Sequence, residues 1–305
     1  MQSRRPRFRR DRAAAPLRLT ERDRSIVGLV HRHRFVRSSQ IIALLGEGMQ
    51  PILRRLQLLY HHGYLERPRA QIDYYHQGGS RHIVYGLGNG GAALLNQECG
   101  RTVSILRAGE KNRSVGRIFL EHALLVSDVM VALELACRKA GSVQLVRPDE
   151  IPLPAGSNSS FRWNVKMKGG AKLGIIPDRV FALESQDAAP ERNPAFFFLE
   201  ADRGTMPVIR ASLAQTSFFR KLLAYEATWA QGLHQSQFGF HRFRVLTVTE
   251  SAKRARSLAE ACSRLESGHG LFLFAERSVL DDPDLLNSAI WRTGRPGDAV
   301  PLFGS

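Results

Sequence analysis

The sequence has few cysteines and no long apolar runs, and both absences exclude classes of protein. Its three cysteines (Cys99, Cys137 and Cys262) are far apart and form no CxxC pair, so neither a disulfide framework nor a zinc knuckle is predicted. The longest apolar runs, such as 195–199, are far shorter than the roughly 20 residues that span a bilayer. No apolar core follows the basic N-terminus, so no secretory signal is expected. These features indicate a soluble protein of the bacterial cytoplasm.

Motifs of several enzyme classes are also missing. No GxSxG, HExxH or P-loop pattern occurs. The segment 86–91 does satisfy GxGxxG, but it follows the second arm of a predicted hairpin, whereas a dinucleotide site needs these glycines inside a βαβ unit. We interpret the glycines as the exit from that hairpin and the start of a helix at 92–97.

Acidic residues are in the minority. The chain has 44 Lys and Arg against 28 Asp and Glu, a formal charge of +16. Residues 1–110 hold 19 basic and 8 acidic side chains, and the remainder holds 25 and 20. An excess concentrated in one half favours a module that binds a polyanion. We therefore expect DNA, double-stranded, as the partner; the alternative is charge that serves solubility alone.

A chain of 305 residues is long enough for two domains. Its first 16 residues are basic and of low complexity, which predicts a tail that is disordered when free. Arg5 and Arg7 in this tail are candidates for phosphate or minor-groove contacts, and the alternative is a solvated tail. The predicted organisation is a basic disordered arm at 1–16, a winged-helix DNA-binding domain at 17–110, a second domain at 111–280 and a loosely packed tail at 281–305.

The winged-helix prediction comes from local patterns. Three short helical segments lie between Thr20 and Gly63, and two alternating segments, 71–76 and 81–87, follow with a glycine turn between them. Three helices and then a hairpin are typical of a winged helix-turn-helix, in which the third helix enters the major groove. Winged helices also bind proteins, which is the alternative. The predicted DNA-contacting residues are Arg54, Arg55 and Gln57 on the third helix, and Arg81 and His82 at the hairpin tip.

Beyond residue 116 the periodicity changes, and helices alternate with strands. The order predicts a mixed sheet with helices on its faces, so the whole chain is expected to be α+β or α/β. The predicted elements are a helix at 118–139, strands at 143–146, 161–167, 173–183 and 195–199, a helix at 209–230, a strand at 243–249, a helix at 251–266 and a strand at 271–275.

Acidic side chains occur at informative places in these strands. Asp178 lies on one strand, and Glu200 and Asp202 share one face of the next because strand side chains alternate. Clustered carboxylates repel one another unless a proton or a cation is present. Oxygen ligands suit Mg²⁺ or Mn²⁺, which can activate water for attack on a phosphodiester. Glu121 on the preceding helix is a fourth candidate ligand. The alternative is a set of helix caps and ion pairs, with Asp202 paired to Arg203 or Arg210.

This pattern resembles the PD-(D/E)XK nuclease superfamily. Pro177-Asp178 matches its first motif, and Glu200-Ala-Asp202 stands where (D/E)XK belongs. Asp202 replaces the motif lysine, which in that superfamily orients or deprotonates the attacking water. The resemblance therefore implies a catalytic set of Asp178, Glu200 and Asp202 with Lys221 as the substitute lysine, and Arg203 as the alternative substitute.

A second resemblance rests on seven segments spread along the chain. They are Leu19–Asp23, Arg54–Tyr60, Tyr85–Gly88, Glu121–Asp128, Pro177-Asp178, Leu199–Gly204 and Lys221–Tyr225. In combination they resemble the replication-relaxation family of plasmid and mobile-element proteins over roughly residues 17–230. The resemblance implies a restriction-endonuclease-like domain behind a winged helix, and a role in plasmid replication or transfer. It does not by itself imply catalysis.

Three functions are compatible with these observations. In the first, the protein binds DNA and nicks or cleaves it with a divalent metal. In the second, a degenerate nuclease fold supports DNA binding or partner docking without catalysis. In the third, the protein is a transcriptional repressor with a ligand-sensing second domain, which leaves the acidic cluster without a role. A homodimer, or a replication or transfer protein as partner, is expected in any of them.

Overall fold

The chain divides into two compact units, Met1–Val131 and Ala132–Ser305. The sequence predicts a boundary near residue 110, whereas the division falls inside one continuous helix, because the first turns of that helix pack Leu120, Ala123 and Leu124 against Phe35. The computed structural model describes residues 7–11, 15–72, 82–99, 108–154, 156–157, 160–167, 169–187, 194–212, 214–297 and 299–303.

The first unit consists of helices around a small antiparallel sheet. Its strands lie in the order β1-β3-β2, and β3 pairs with both neighbours. The elements are α1 (Glu21–His33), β1 (Phe35–Arg37), α2 (Ser38–Leu45), α3 (Met49–His61), β2 (Leu65–Glu66), β3 (Val84–Leu87), α4 (Asn89–Cys99), α5 (Ala108–Arg113) and the beginning of α6 (Arg117–Ala140).

Local sequence explains where these helices begin and end. The Asp23 carboxylate accepts the backbone N–H of Thr20 at 2.7 Å, which caps the start of α1. Gly46 ends α2 with φ 66°, a left-handed conformation that glycine adopts without strain.

The partner of β3 differs from the sequence prediction. The predicted first hairpin arm begins at Gln71, yet residues 69–71 form one turn of 3-10 helix, and 73–76 lie outside the described residues. The Gln71 side chain donates to the Val84 carbonyl at 2.9 Å and accepts from the Val84 N–H at 2.8 Å. A side-chain amide thus takes the place of a strand's backbone groups, and the backbone partners of β3 are β1 and β2.

The glycine segment after β3 serves close packing. A Cβ on Gly88 would lie 2.3 Å from the Gly63 carbonyl oxygen, and one on Gly91 would lie 2.4 Å from that of Tyr64. Helix α4 begins at Asn89, immediately after this approach. The glycines therefore let β3 leave the sheet beside the end of α3, as the sequence interpretation expects.

The second unit is a five-stranded mixed sheet flanked by helices, and a separate two-stranded hairpin. The sheet order is β10-β9-β8-β7-β4, with β8, β9 and β10 parallel and β7 antiparallel to both of its neighbours. The elements are β4 (Val143–Val146), β5 (Trp163–Lys166), β6 (Lys172–Ile175), β7 (Arg179–Ser185), β8 (Ala195–Asp202), α7 (Phe218–Ala230), α8 (Leu233–Phe238), β9 (Phe243–Thr249), α9 (Ala252–Cys262) and β10 (Phe272–Glu276).

One face of β8 builds the main core of this unit. Phe196 and Phe198 pack with Leu222 and Tyr225 of α7 and with Leu258 of α9. The strand is buried on both faces over almost its whole length, which explains its continuous apolar run. Its last residues are nevertheless acidic, and these form the site described below.

Two predicted elements of the second unit differ from the structure. The predicted strand 173–183 is two strands in different sheets, because the chain turns at 176–178 around Pro177. Helix α7 begins at Phe218 instead of 209, since the Ser217 hydroxyl caps it by accepting the N–H of Arg220 at 3.3 Å.

The segment 281–305 is not the loosely packed tail that its Asp, Pro and Gly content predicts. Trp291 is fully buried, and Leu285, Leu286 and Leu302 are at most 2% exposed. These apolar residues follow no helical or strand period, which is why composition alone misses their burial.

Candidate functional site

The end of β8 places a buried carboxylate beside an amine. Glu200 is 2% exposed, accepts a hydrogen bond from Lys221 Nζ at 2.5 Å and accepts another from the Tyr225 hydroxyl at 2.7 Å. Lys221 and Tyr225 lie one turn apart on α7, so both side chains reach the same carboxylate. Both oxygens of Glu200 are thus hydrogen bonded within the protein.

Asp178 lies next to this group, immediately before β7. Its backbone N–H donates to the Leu199 carbonyl at 3.0 Å, and its carboxylate accepts the Ala201 N–H at 2.8 Å. These bonds continue the β7–β8 pairing by one residue and fix Asp178 at the end of the strands. The Asp178 charge also raises the pKa values of Glu200 and Lys221, so the three groups form one electrostatic cluster.

Burial and charge act in opposite directions in this cluster. Burial raises the pKa of Glu200 above its usual range, and the positive charge of Lys221 only partly offsets it. Burial lowers the pKa of Lys221, but the nearby carboxylates outweigh burial, so the Lys221 pKa lies above its usual value. Burial and Glu200 together raise the pKa of Tyr225 well above its usual value. Lys221 therefore holds its proton near neutral pH and can donate hydrogen bonds but not accept a proton.

Asp202 shares the face of Glu200 but has different partners. Arg254 of α9 binds both of its oxygens, at 2.7 and 3.1 Å, and the Thr249 hydroxyl donates to it at 3.0 Å. Arg254 also donates to the Met206 carbonyl at 2.6 Å. The ion-pair alternative drawn from the sequence thus describes the contacts of Asp202, although its partner is Arg254 and not Arg203 or Arg210.

A cleft of about 230 Å³ opens beside Glu200 and Lys221. It lies between β6 and the start of α7, so its walls are apolar on one side and basic on the other. Two adjacent cations of α7, Arg220 and Lys221, contribute to the wall. The complete lining is Leu173, Gly174, Ile175, Ile176, Glu200, Thr216, Ser217, Arg220, Lys221, Ala224 and Tyr225.

The predicted metal ligands do not all come together. In the part of the chain that the structure describes, no group of three or more His, Cys, Asp or Glu is arranged to hold a metal ion. Glu121 lies in the first unit and pairs with Arg117 at 2.7 Å, and the oxygens of Asp202 are occupied by Arg254 and Thr249. The predicted carboxylates that remain are Glu200, which lines the cleft, and Asp178, whose charge acts on Glu200. Mg²⁺ is commonly held by one or two protein carboxylates, but both oxygens of Glu200 are bonded to Lys221 and Tyr225, so an ion would bind this smaller set only by displacing one of these partners.

Sequence reasoning misses two residues of this site. Tyr225 belongs to the segment Lys221–Tyr225, and its spacing of four from Lys221 is a usable signal. Its helical spacing from Phe218 and Leu222, however, explains the same residue as part of the core. Arg254 carries no local signal, because it lies 52 positions from Asp202 and only the fold brings the two together.

The candidate DNA-contacting residues of the first unit have different surroundings. Arg54, Gln57 and His82 are exposed or partly exposed. Arg55 instead binds the buried Asp23 through two nitrogens, one of them at 2.8 Å, and donates to the Arg18 carbonyl at 3.0 Å. It therefore joins α3 to the start of α1. Arg5 and Arg81 lie outside the described residues.

Part of the basic arm contacts the first unit. Arg10 donates to the Tyr60 carbonyl at 3.0 Å and to Glu66 at 2.5 Å, and the Asp11 N–H donates to His61 at 2.9 Å. Arg67 donates to the carbonyl of Arg7. Residues 7–11 therefore lie against α3 and β2, whereas the sequence predicts a free tail.

The segment Glu121–Asp128 has a clear role within the first unit. The Ser127 hydroxyl donates towards the carbonyls of His33 and Phe35, at 2.9 and 2.6 Å. Asp128 accepts from Gln40 at 2.7 Å and pairs with Arg37. These contacts join α6 to the end of α1, to β1 and to the start of α2.

Comparison with known proteins gives one match. A family model described as Replication-relaxation matches residues 27–242, which is more than half of the chain and contains α2, α3, Asp178, Glu200 and Lys221. No curated protein and no solved structure is similar at a significant level. Among the described helices, none is both long and apolar enough to cross a membrane.

Proposed function

Because the chain belongs to the Replication-relaxation family, we propose that it is a DNA-binding protein of plasmid or mobile-element replication or transfer. Family membership indicates an association with plasmid replication. The finer proposal is that the first unit is a winged helix-turn-helix that binds duplex DNA.

The order of elements in the first unit is the observation that carries this proposal. Helix, short strand, two helices and two strands, with sheet order β1-β3-β2, support this proposal because a winged helix-turn-helix is expected to have this order. In such a unit α3 is the recognition helix, and residues of its N-terminal half reach the bases. Arg54 lies in this half, is exposed and carries a guanidinium, which can bind guanine or phosphate.

The structure assigns a different task to the neighbouring arginine. Arg55 is 20% exposed and pairs with Asp23, whose side chain is fully buried. A contact with DNA would have to compete with this pair. We therefore place Arg55 among the residues that orient the recognition helix and retain Arg54, Gln57 and His82 as contacts.

The proposal is tested by the binding of a fluorescent duplex from the DNA that neighbours the gene, measured by anisotropy. Arg54→Gln is expected to weaken binding by about tenfold, since a specific arginine contact contributes about 1–3 kcal/mol. Arg256→Gln removes the same charge from an exposed position on α9 and serves as the matched control. Equal affinities of both variants and the unaltered protein would contradict the role of Arg54, and no binding at all would contradict the proposal.

A second candidate function is DNA cleavage in the second unit. The observation that favours it is the buried Glu200 bonded to Lys221 beside Asp178, at the wall of an open cleft. Asp178 and Glu200 would hold Mg²⁺ or Mn²⁺ if the ion displaced Lys221 from Glu200, and the ion would supply Lewis-acid chemistry and an activated water. Lys221, protonated next to Glu200, would bind a phosphate oxygen, and Arg220 would add a second cation.

Cleavage is tested on supercoiled plasmid with Mg²⁺ or Mn²⁺. A nuclease is expected to give relaxed or linear product that falls at least about 100-fold in Asp178→Asn and in Lys221→Gln, because each removes a group that acts on the reacting phosphate. Lys253→Gln, exposed on α9, is the control. No product alongside normal duplex binding would make this a non-catalytic DNA-binding protein.

A further inference from the structure

The two-stranded hairpin β5–β6 has one buried and one basic face. Trp163, Val165, Leu173 and Ile175 point inward and are at most 6% exposed. The alternate residues point outward and are exposed. They are Arg162 immediately before β5, Asn164 and Lys166 on β5, and Lys172 and Gly174 on β6.

The outer face carries unbalanced positive charge. Lys166 lies directly opposite Lys172 in the antiparallel register, and like charges in that position destabilise a hairpin. No acidic residue occurs between Glu150 and Asp178 in the sequence. In the described part of the chain no ion pair joins either lysine to an acid. This contrasts with other basic residues of the second unit, such as Arg254 and Arg147, which have acidic partners.

The hairpin is held firmly in spite of this repulsion. Trp163 Nε1 donates to the Thr228 hydroxyl at 2.8 Å. The Gln231 side chain donates to the Lys166 carbonyl at 2.7 Å, so the edge of β5 is joined to the end of α7. The two lysines are therefore displayed on a fixed surface and cannot separate without loss of core packing.

The outer face of the hairpin leads towards the cleft. Gly174 and the residues that follow it, Ile175 and Ile176, form one wall of the cleft whose other wall holds Arg220 and Lys221. Gly174 also lies opposite Asn164 and adds no side chain of its own. A polyanion bound along the hairpin would thus contact Lys166 and Lys172 at one end, and Arg220 and Lys221 of the cleft at the other.

We propose that the outer face of β5–β6, formed by Arg162, Lys166 and Lys172, binds the phosphate backbone of DNA. This inference rests on the proposed function, but it adds a second DNA-contacting surface that lies outside the recognition helix. The contact is independent of base sequence because only phosphates are bound. The bound phosphates would offset the repulsion between the two lysines, because each phosphate neutralises a charge that the protein leaves unpaired.

The test uses the full chain and a labelled 30-base-pair duplex of arbitrary sequence at a series of salt concentrations. In Lys166→Gln/Lys172→Gln the plot of log affinity against log salt concentration is expected to become shallower by up to about 2, at about 0.9 per phosphate contact. Lys253→Gln/Arg256→Gln removes the same charge from exposed positions on α9 and is expected to leave the slope unchanged.

The outcomes separate this inference from the function on which it rests. Equal slopes for the hairpin variant and the unaltered protein overturn the hairpin surface but leave DNA binding by the first unit in place. Equal shallowing in the hairpin and control variants shows an effect of net charge alone and also overturns the proposal. Absence of duplex binding by the unaltered protein overturns both.

Discussion

At the scale of single residues, buried charges of this protein are satisfied by specific partners and not by solvent. Asp23 is fully buried and is bound by Arg55 and by the Thr20 backbone. In the second unit, Glu200 and Asp202 are likewise buried and are bound by Lys221 and Arg254. Burial of each carboxylate costs desolvation energy, so removal of its charged partner leaves a buried charge that no opposite charge compensates.

Asp23 provides a prediction about acid stability. Burial raises its pKa, but hydrogen bonds from Arg55 and Thr20 outweigh burial, so the Asp23 pKa lies below its usual value. A depressed pKa in the folded state stabilises the fold above the unfolded value of about 3.9, and the stabilisation is lost as pH falls below it. Asp23→Asn is expected to lower the free energy of unfolding by about 3 kcal/mol at pH 7 and to flatten the loss of stability below pH 4.

Urea unfolding at pH 7 and at several acid pH values measures both effects. Glu21→Gln is the control, because Glu21 lies in the same first turn but its side chain is 88% exposed. Unchanged stability of Asp23→Asn at pH 7, or the same acid dependence as the unaltered protein, would show that the pair with Arg55 contributes nothing.

At the scale of elements, the short strands of the first unit are held in place mainly by contacts with neighbouring segments. Its three strands contain two to four residues each. Their positions depend on the Gln71 side chain, on Ser127 of α6 and on the approach of Gly88 to the end of α3. Such a unit is sensitive to changes at its junctions.

A pair of glycines tests this sensitivity. Gly88→Ala would place a Cβ 2.3 Å from a backbone oxygen, so the junction must shift, and we expect a loss of about 1–3 kcal/mol. Gly28→Ala on α1 meets no atom within 4 Å and is expected to stabilise by up to about 1 kcal/mol, because alanine favours a helix. Thermal unfolding of both variants, read by circular dichroism, gives the comparison. A stabilising Gly88→Ala would contradict the packing described for this segment.

At the scale of the whole molecule, the sequence predicts the class of fold and the order of elements well. Helical and alternating periods indicate the N-terminal helices and the mixed sheet, because these periods follow directly from which faces are buried. The break at Ile176–Asp178 and the late start of α7 are not predicted, since both depend on residues that meet only in the folded chain. The family prediction is confirmed over residues 27–242.

The candidate site is predictable only in part. Asp178, Glu200 and Lys221 can be singled out from spacing and from the family resemblance, and the structure places Lys221 on Glu200. Spacing cannot reveal that Asp202 forms an ion pair with Arg254, because the two residues meet only when β8 and α9 pack. Their catalytic and metal-binding roles stay predictions that the cleavage experiment addresses.

The C-terminal segment has a consequence for self-association. Strand β10 lies at one edge of the five-stranded sheet, and the backbone N–H and carbonyl of Phe274 are both bonded to Arg292, at 2.8 and 2.9 Å. An open sheet edge is a template on which a strand of another molecule can pair. By pairing with Phe274, Arg292 protects this edge against aggregation. A chain that ended near residue 280 would expose an unpaired strand edge and would also lose the buried Trp291 and Leu302.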